Sequence, residues 1–378
     1  MRVEQFLWTP ERGWDPAVPG TLTNADLVLI FGSLSALDCA EAFEQVRHAY
    51  PVAHLFGCST AGEIRDVEVH DGSLVVTAIA FEHTRVRGSR MPICASGESY
   101  DVGRGLGTAL AADDLVHVLV LSDGTRVNGS ALVAGLTDHL PAGVTVTGGL
   151  SGDGDRFQET RVIWDDEAKP GMIGAVGFYG DRFQVGFGSL GGWDSFGPER
   201  VVTRSEGNVL YELDGRSALE LYKEYLGEHA GGLPATGLLF PLSVRSETQD
   251  TAVVRTILSV DEGQLSMTFA GDVPEGAYAR LMKANFDRLI DGASGAAETC
   301  RVALRDTGAQ LALLISCVGR KLVLRQRVEE EVEGVRETLG PVPILTGFYS
   351  YGEISPFTPG ARCELHNQTM TITAFAEV

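Results

Sequence analysis

A chain of 378 residues is long for a single core and leaves room for two or three domains. Its 30 basic and 51 acidic side chains give a formal net charge of −21, which excludes the basic footprint that nucleic-acid binding needs and disfavours an anionic membrane surface. A hydrophobic share of 44% is enough for packed cores and argues against general disorder.

The first 24 residues, with Pro10 and Pro16, read as an irregular extension. No apolar run of signal-peptide type follows Met1-Arg2-Val3-Glu4, and no stretch reaches the ~18 apolar residues that span a bilayer. The expectation is a cytoplasmic protein without membrane insertion. Six cysteines (Cys39, Cys58, Cys94, Cys300, Cys317 and Cys363) include no Cys-x-x-Cys pair and read as reduced thiols.

Four apolar runs then recur along the chain, each ending in small residues and leading into a helical pattern. They are Leu27–Ser33, Val118–Gly124, Val209–Gly215 and Leu311–Cys317. Continuous apolar runs of this length suit buried strands. Helix starts are marked by Ser35 with Asp38 and by Ser217 with Glu220, a capping-box spacing. In the last unit Val328, Val332, Val335 and Leu339 give one apolar helix face. After each helix comes a short strand rich in glycine and small residues: Phe56–Ile64, Thr147–Asp153, Gly237–Leu242 and Gly347–Ile354. Each unit closes on another strand, and the first and last units share a Gly-Glu-Ile. Further helices are expected over Tyr100–Leu110 and Glu275–Ile290, and loops or a hairpin over the glycine-rich Gly186–Pro198. The expected class is α/β or α+β: repeated strand–helix–strand units forming large mixed sheets covered by helices, in two pseudo-equivalent halves.

These residues carry a family resemblance. Gly57-Cys58-Ser59-Thr60-Ala61-Gly62-Glu63-Ile64 resembles the signature of the FIST N domain. Tyr211-Glu212-Leu213-Asp214-Gly215 is similar to the junction between FIST N and FIST C. Ser316-Cys317-Val318-Gly319-Arg320, Gly347–Ile354 and Leu365-His366-Asn367-Gln368-Thr369 resemble FIST C. The resemblance implies an extension over 1–24, a FIST N-like domain over 25–207 and a FIST C-like domain over 208–378. It also implies a non-enzymatic sensory module for a small, amino-acid-like ligand. With no room after both domains for an output domain, signalling is expected to pass through a separate partner such as a histidine kinase. An alternative from the same resemblance is a haem protein that senses nitric oxide, with His366 as the axial metal ligand.

Ligands in such sheets gather where strands end in loops. Arg320 can grip a carboxylate with two parallel hydrogen bonds, and Glu353 can receive an ammonium. Tyr349, Ser350 and Tyr351 add an aromatic wall and hydroxyls, and Cys317 lies on the neighbouring strand end. The competing reading pairs Arg320 with Glu353 as a loop staple. Cys58, Ser59, Thr60 and Glu63 form the next candidate loop. A thiol-dependent enzyme using Cys58 or Cys317 is a further alternative, although no local base accompanies Cys58. Gly-x-Ser-x-Gly and the Walker pattern are absent from the sequence.

Overall fold

The computed structural model describes residues 1–17, 20–246, 252–357 and 360–378, with every side chain among them except that of Asp306. The N-terminal unit runs β1 (Arg2–Thr9), β2 (Gly13–Asp15), β3 (Leu27–Gly32), α1 (Leu34–Leu37), α2 (Ala40–Ala49), β4 (His54–Ser59), β5 (Glu63–Arg65), β6 (Glu68–His70) and β7 (Leu74–Ala80). Every residue of β3 is buried, as its unbroken apolar run requires. Strands β3 and β4 are parallel, β7 returns antiparallel to β3, and β1 pairs with β7. The segment expected to be irregular therefore supplies a full strand. Ser33, not Ser35, caps α1: its Oγ accepts from the Ala36 amide.

The middle unit repeats this plan with β8 (Arg85–Pro92), α3 (Ser99–Leu110), β9 (Leu115–Ser122), α4 (Gly129–Thr137), β10 (Thr145–Leu150), β11 (Val162–Trp164) and β12 (Met172–Tyr179). Strand β13 (Phe183–Leu190) begins the C-terminal unit. An antiparallel insertion interrupts it: β14 (Trp193–Glu206), β15 (Val209–Leu213), β16 (Arg216–Ser217), α5 (Ala218–Leu226), β17 (Leu242–Arg245), β18 (Val253–Arg255), β19 (Ile257–Asp261), β20 (Ser266–Phe269) and β21 (Tyr278–Ala284). The unit then resumes with α6 (Phe286–Leu304), β22 (Leu311–Cys317), α7 (Val318–Leu324), α8 (Val328–Leu339), β23 (Ile344–Ser350), β24 (Gly352–Pro356), β25 (Cys363–His366) and β26 (Met370–Glu377).

The class is the expected one: helix-covered, mixed sheets built from repeated strand–helix–strand units. The equivalence is threefold, however, among sheet cores ordered β4-β3-β7-β1, β10-β9-β12-β8 and β23-β22-β26-β13. The run at Val209 is a correction. Among the described residues it pairs, as β15, antiparallel with β14, β16 and β20 and with no parallel neighbour. Its Tyr211 and Glu212 are half-buried, whereas β3 and β22 are buried throughout. One wet face suits an antiparallel sheet, not a sandwiched parallel strand. The stretch after α5 is a 3-10 turn, Ala235–Leu239, leading into β17, which pairs antiparallel with β21. Two other expectations shift. Tyr278–Ala284 is strand, and the helix starts at Phe286 behind an Asn285 cap. Gly186 and Gly188 lie within β13, where a Cβ would meet the carbonyl oxygens of Cys300 and Ala296 at 2.6 and 2.3 Å, so they admit α6 to close contact.

Each unit also donates a tail to a neighbour's sheet. In register, Ile64 of β5 lies opposite Gly347, Ile354 of β24 opposite Gly148, and Ile163 of β11 opposite Gly57. The three recipient glycines are equivalent: a Cβ on each would sit 1.8–1.9 Å from the carbonyl oxygen of Ile30, Val120 or Leu314 on the adjacent strand. The inner sheet faces share one core that includes Phe31, Phe56, Leu119, Leu121, Leu313 and Phe348. Phe31 and Phe348 stack within it at 4.7 Å. The insertion has its own core around Leu219, Tyr222, Met267 and Phe269.

Candidate functional site

Arg320 is not on a loop. It lies in α7, fully buried, with Nε and Nη2 donating to Glu331 Oε2 at 2.9 and 2.7 Å. Its remaining reach goes to the carbonyls of Gly191 (3.0 Å) and Leu289 (2.7 Å). Tyr349 and Ser316 donate to Glu331 Oε1 at 2.7 and 3.1 Å, so these residues form one closed network with Arg320. Tyr351 belongs to another: its hydroxyl bonds Asp153, and its ring stacks on Phe157 at 4.1 Å. Glu353 belongs to a third. Its Oε1 accepts from Ser350 at 2.6 Å, and its Oε2 accepts from the amide and hydroxyl of Thr369 at 3.2 and 3.0 Å. Arg320 and Glu353 thus do not pair, and the four residues expected to line one pocket are sealed into three polar networks.

The first candidate loop is built the same way. Glu63 accepts from Thr60 through Oε1 and from the Ser73 amide and hydroxyl through Oε2. Glu63 and Glu353 are therefore equivalent residues that tie each loop to the start of its unit's closing strand. Burial pushes both carboxyls up, to about 7 for Glu63 and about 8 for Glu353. Ser59 Oγ accepts from the Arg161 amide at 2.9 Å, joining this loop to the middle unit's tail. Cys58 and Cys317 are buried, and burial raises both thiols above their usual range. A nucleophilic thiolate needs the opposite shift.

His366 is buried in β25, with Nε2 donating to the Ser355 carbonyl at 2.7 Å and its ring edge-on to Phe357 at 4.1 Å. Burial holds its imidazole down to about 4, hence neutral. Its Nε2 is committed to a backbone carbonyl, the ring lies buried, and the Phe357 ring is packed against it, which leaves no slot for a macrocycle. These residues do not fit haem.

The structure opens elsewhere, at the seam between the insertion and the rest of the chain. A cleft of about 260 Å³ lies between α4, β17, β18 and β25, below the ~300–1,000 Å³ usual for ligand pockets. Arg255 of β18 lines it, 5% exposed. Among the described residues its acceptors are the carbonyls of Asp272 (2.9 Å), Leu365 (2.8 Å) and Val254 (3.5 Å), with no carboxylate. Burial lowers its guanidinium to about 10, so it stays charged at neutral pH. Asp272, Glu364 and Ser130 line the same cleft. The contrast with Arg320 is chemical: one buried guanidinium is hydrogen-bonded to Glu331, while the other is hydrogen-bonded to carbonyls and feels the carboxylates of Glu364 and Asp272 only through space. The sequence signal at Arg255 is a lone cation in Val253-Val254-Arg255-Thr256-Ile257, the same kind of signal that drew attention to Arg320.

The segment Leu365–Thr369 links this cleft to the centre of the molecule. Leu365 accepts from Arg255, and Asn367 bridges the Thr256 amide (3.2 Å) and the Tyr351 carbonyl (3.2 Å). Gln368 donates to the Leu238 carbonyl and accepts from Trp193, while Thr369 holds Glu353. Two buried oxygens on this seam, Thr256 Oγ1 and Gln368 Oε1, have no hydrogen-bond partner among the described residues.

Comparison with known proteins places this architecture. The chain is 23% identical over 295 residues to the uncharacterized protein MJ1623 of Methanocaldococcus jannaschii, covering 71% of this chain and 56% of that protein. It thus spans little more than half the length of that curated relative. Among solved structures, a cyanuric acid hydrolase from A. caulinodans aligns over 78% of this chain and 99% of that one, at 10% identity and a TM-score of 0.19. The FIST N domain model matches residues 26–216 and the FIST C domain model residues 218–356. The chain belongs to the FIST family, whose domains are associated with sensory signal transduction.

Proposed function

We propose that this protein is a cytoplasmic sensor that binds a small, amino-acid-like ligand in the seam cleft and reports its occupancy to a separate signalling protein, such as a histidine kinase. The observation that carries the reading is Arg255, a buried guanidinium that opens onto a cavity and has no carboxylate among its described acceptors. A ligand carboxylate would complete it with charge-assisted hydrogen bonds. Asp272, on the same wall, offers the matching site for an ammonium. The walls come from two parts of the fold, α4 and β25 on one side and β17–β18 on the other, so a bound ligand favours the arrangement in which they close on it. Leu365–Thr369 would carry that difference to Tyr351 and Glu353 through the hydrogen bonds of Asn367 and Thr369. The proposal assigns no catalytic step, because Cys58 and Cys317 lie buried with raised pKa values.

The experiment is a thermal-shift screen of amino acids and small acids on the wild type and on Arg255→Met. A ligand at 100 times its Kd adds about 2.7 kcal/mol to stability, a rise of a few degrees for a protein of this size. The shift is expected in the wild type and lost in Arg255→Met. A screen with no responding compound, or a response that Arg255→Met leaves intact, would overturn the reading.

A further inference from the structure

We infer that the open edge of β8 docks an extended, acidic segment of a partner protein as an added antiparallel strand. The inference stands apart from the seam cleft and does not rest on a ligand there. In the N-terminal sheet the outer edge of β1 is covered: β2 pairs with it antiparallel, with Trp14 opposite Trp8. β8 occupies the equivalent place in the middle sheet, and no strand pairs with its outer side among the described residues. The third equivalent, β13, has five of its eight residues buried, whereas β8 has none.

The pairing of β8 with β12 settles which backbone groups face outward. The Ile93 amide donates to the Gly171 carbonyl at 2.9 Å, and the register then runs without a shift from Met172 opposite Pro92 to Tyr179 opposite Arg85. Alternation along an antiparallel ladder therefore turns the backbone groups of Arg87, Ser89 and Met91 toward β12 and those of Val86, Gly88 and Arg90 outward. The outward groups have no backbone partner among the described residues. A row of this kind is what strand addition uses, and β8 has neither the shortness nor the bulge that closes other edges.

The side chains choose the occupant. β8 carries Arg85, Arg87 and Arg90 and no acidic residue, in a chain of net charge −21. Arg85 is paired with Asp114. Arg87 and Arg90 donate to the carbonyls of Ala109 (3.4 Å) and Trp164 (2.9 Å), and Asp166 acts on Arg90 only through space. A second copy of the chain would bring these arginines together across the new ladder, where facing like charges are destabilising. An acidic strand sets carboxylates there instead, within reach of Arg87 on one face and Arg90 on the other.

Fluorescence anisotropy with a labelled peptide that alternates glutamate and valine tests this on the full chain, beside its lysine–valine counterpart. The glutamate peptide is expected to bind, less tightly as salt is added, and the lysine peptide not to bind. Arg87→Glu with Arg90→Glu, both at exposed positions, should weaken the glutamate peptide by roughly tenfold or more. Arg90→Pro against Arg90→Ala tests the ladder: both remove the charge, but only proline removes an outward amide, at a site where β12 loses no hydrogen bond. Arg90→Pro is expected to bind clearly more weakly than Arg90→Ala. If Arg90→Pro does not fold, the glutamate peptide N-methylated at every residue serves instead, since it keeps the charges and can donate no ladder bond; it is expected not to bind the wild type. Equal binding by the two Arg90 variants, or by the plain and methylated peptides, would reduce the contact to charge attraction and overturn the docked strand. Absence of binding by the glutamate peptide would overturn it as well. So would a dimer of the free chain that Arg90→Pro dissolves, which would give the edge to a second copy.

Discussion

Arg320 and Arg255 show how differently two buried guanidinium groups can behave. Arg320 is compensated internally by Glu331, which also accepts from Tyr349 and Ser316. Truncating it leaves a carboxylate in the core with no counter-ion, and breaking a buried pair in this way typically costs about 3–5 kcal/mol. Arg320→Ala is therefore expected to lower the denaturant midpoint sharply. Arg320→Met combined with Glu331→Gln, which removes both charges and keeps an acceptor for Tyr349, should recover much of the loss. Equal loss in the single and double variants would show that packing, not charge, dominates. The buried carboxyls of Glu63 and Glu353 make a second residue-scale prediction. Their folded pKa values of about 7 and about 8 lie above the ~4.3 of an unfolded glutamate. Between those values the folded chain holds protons that the unfolded chain has released. Their contribution is complete below the unfolded pKa and is lost as pH rises through the folded values, so stability should fall from about pH 4.5 toward pH 8. The limiting slope is about 1.4 kcal/mol per pH unit for each group. Urea titrations at pH 5.5, 7 and 8.5 measure it, and Glu63→Gln with Glu353→Gln should flatten it. A variant as steep as the wild type would assign the slope to other groups.

At the scale of elements, legibility followed burial. The runs that became β3, β9 and β22 each hold four or more consecutive apolar residues and were readable as buried strands. The capping pair Ser217 and Glu220 was readable too, since the serine oxygen accepts from the Glu220 amide at 3.2 Å. The run at Val209 looked alike because short apolar stretches do not reveal whether one face or two will be covered. Only Tyr211 and Glu212, read as outward positions, hinted at an antiparallel sheet. The glycines of β13 misled for a related reason: glycine marks a turn or a close helix contact equally well, and here the contact is with α6. The candidate site was less legible than the fold. Arg320 follows β22 in α7, and Tyr349, Tyr351 and Glu353 lie around the join of β23 and β24, yet their side chains leave in different directions to Glu331, Asp153 and Thr369. What a strand end faces depends on which tail a neighbouring unit donates to it. Arg255 escaped notice because its partners come from Asp272 and Leu365, the latter 110 residues away, and only the folded insertion creates the cavity.

For the whole molecule, exchanged tails and a self-contained insertion make opposite demands on where the chain can be cut. A cut at the boundary between residues 207 and 208 separates β14 from β15, β13 from β26, β5 from β23 and β24 from β10. Each fragment would then expose apolar strand edges that its own residues cannot cover. Fragments 1–207 and 208–378 are expected to aggregate or lack a cooperative transition when made alone, and to form a soluble complex when co-expressed. The insertion behaves differently, because its entrance and exit are neighbours: Trp193 lies opposite Ala284 in the β14–β21 ladder. It also has its own core around Tyr222 and Phe269. The middle unit passes from β8 to α3 through a short connection, over 93–98, at the point where the C-terminal unit carries the insertion. Replacing 193–284 by a linker of that length should leave β13 paired with β26 and α6 packed on both. The shortened protein is expected to unfold cooperatively with a reduced Tm, since Leu365–Thr369 loses its partners Thr256, Leu238 and Trp193. It should give no ligand-induced shift, because Val244, Val253, Arg255 and Asp272 leave with the insertion. Size-exclusion chromatography with thermal melts of the four proteins decides the matter. Fragment 1–207 melting cooperatively alone would show that the exchanged tails do not hold the units together. A shortened protein that still responds to the wild-type ligand would place the binding site among the three units rather than at the seam.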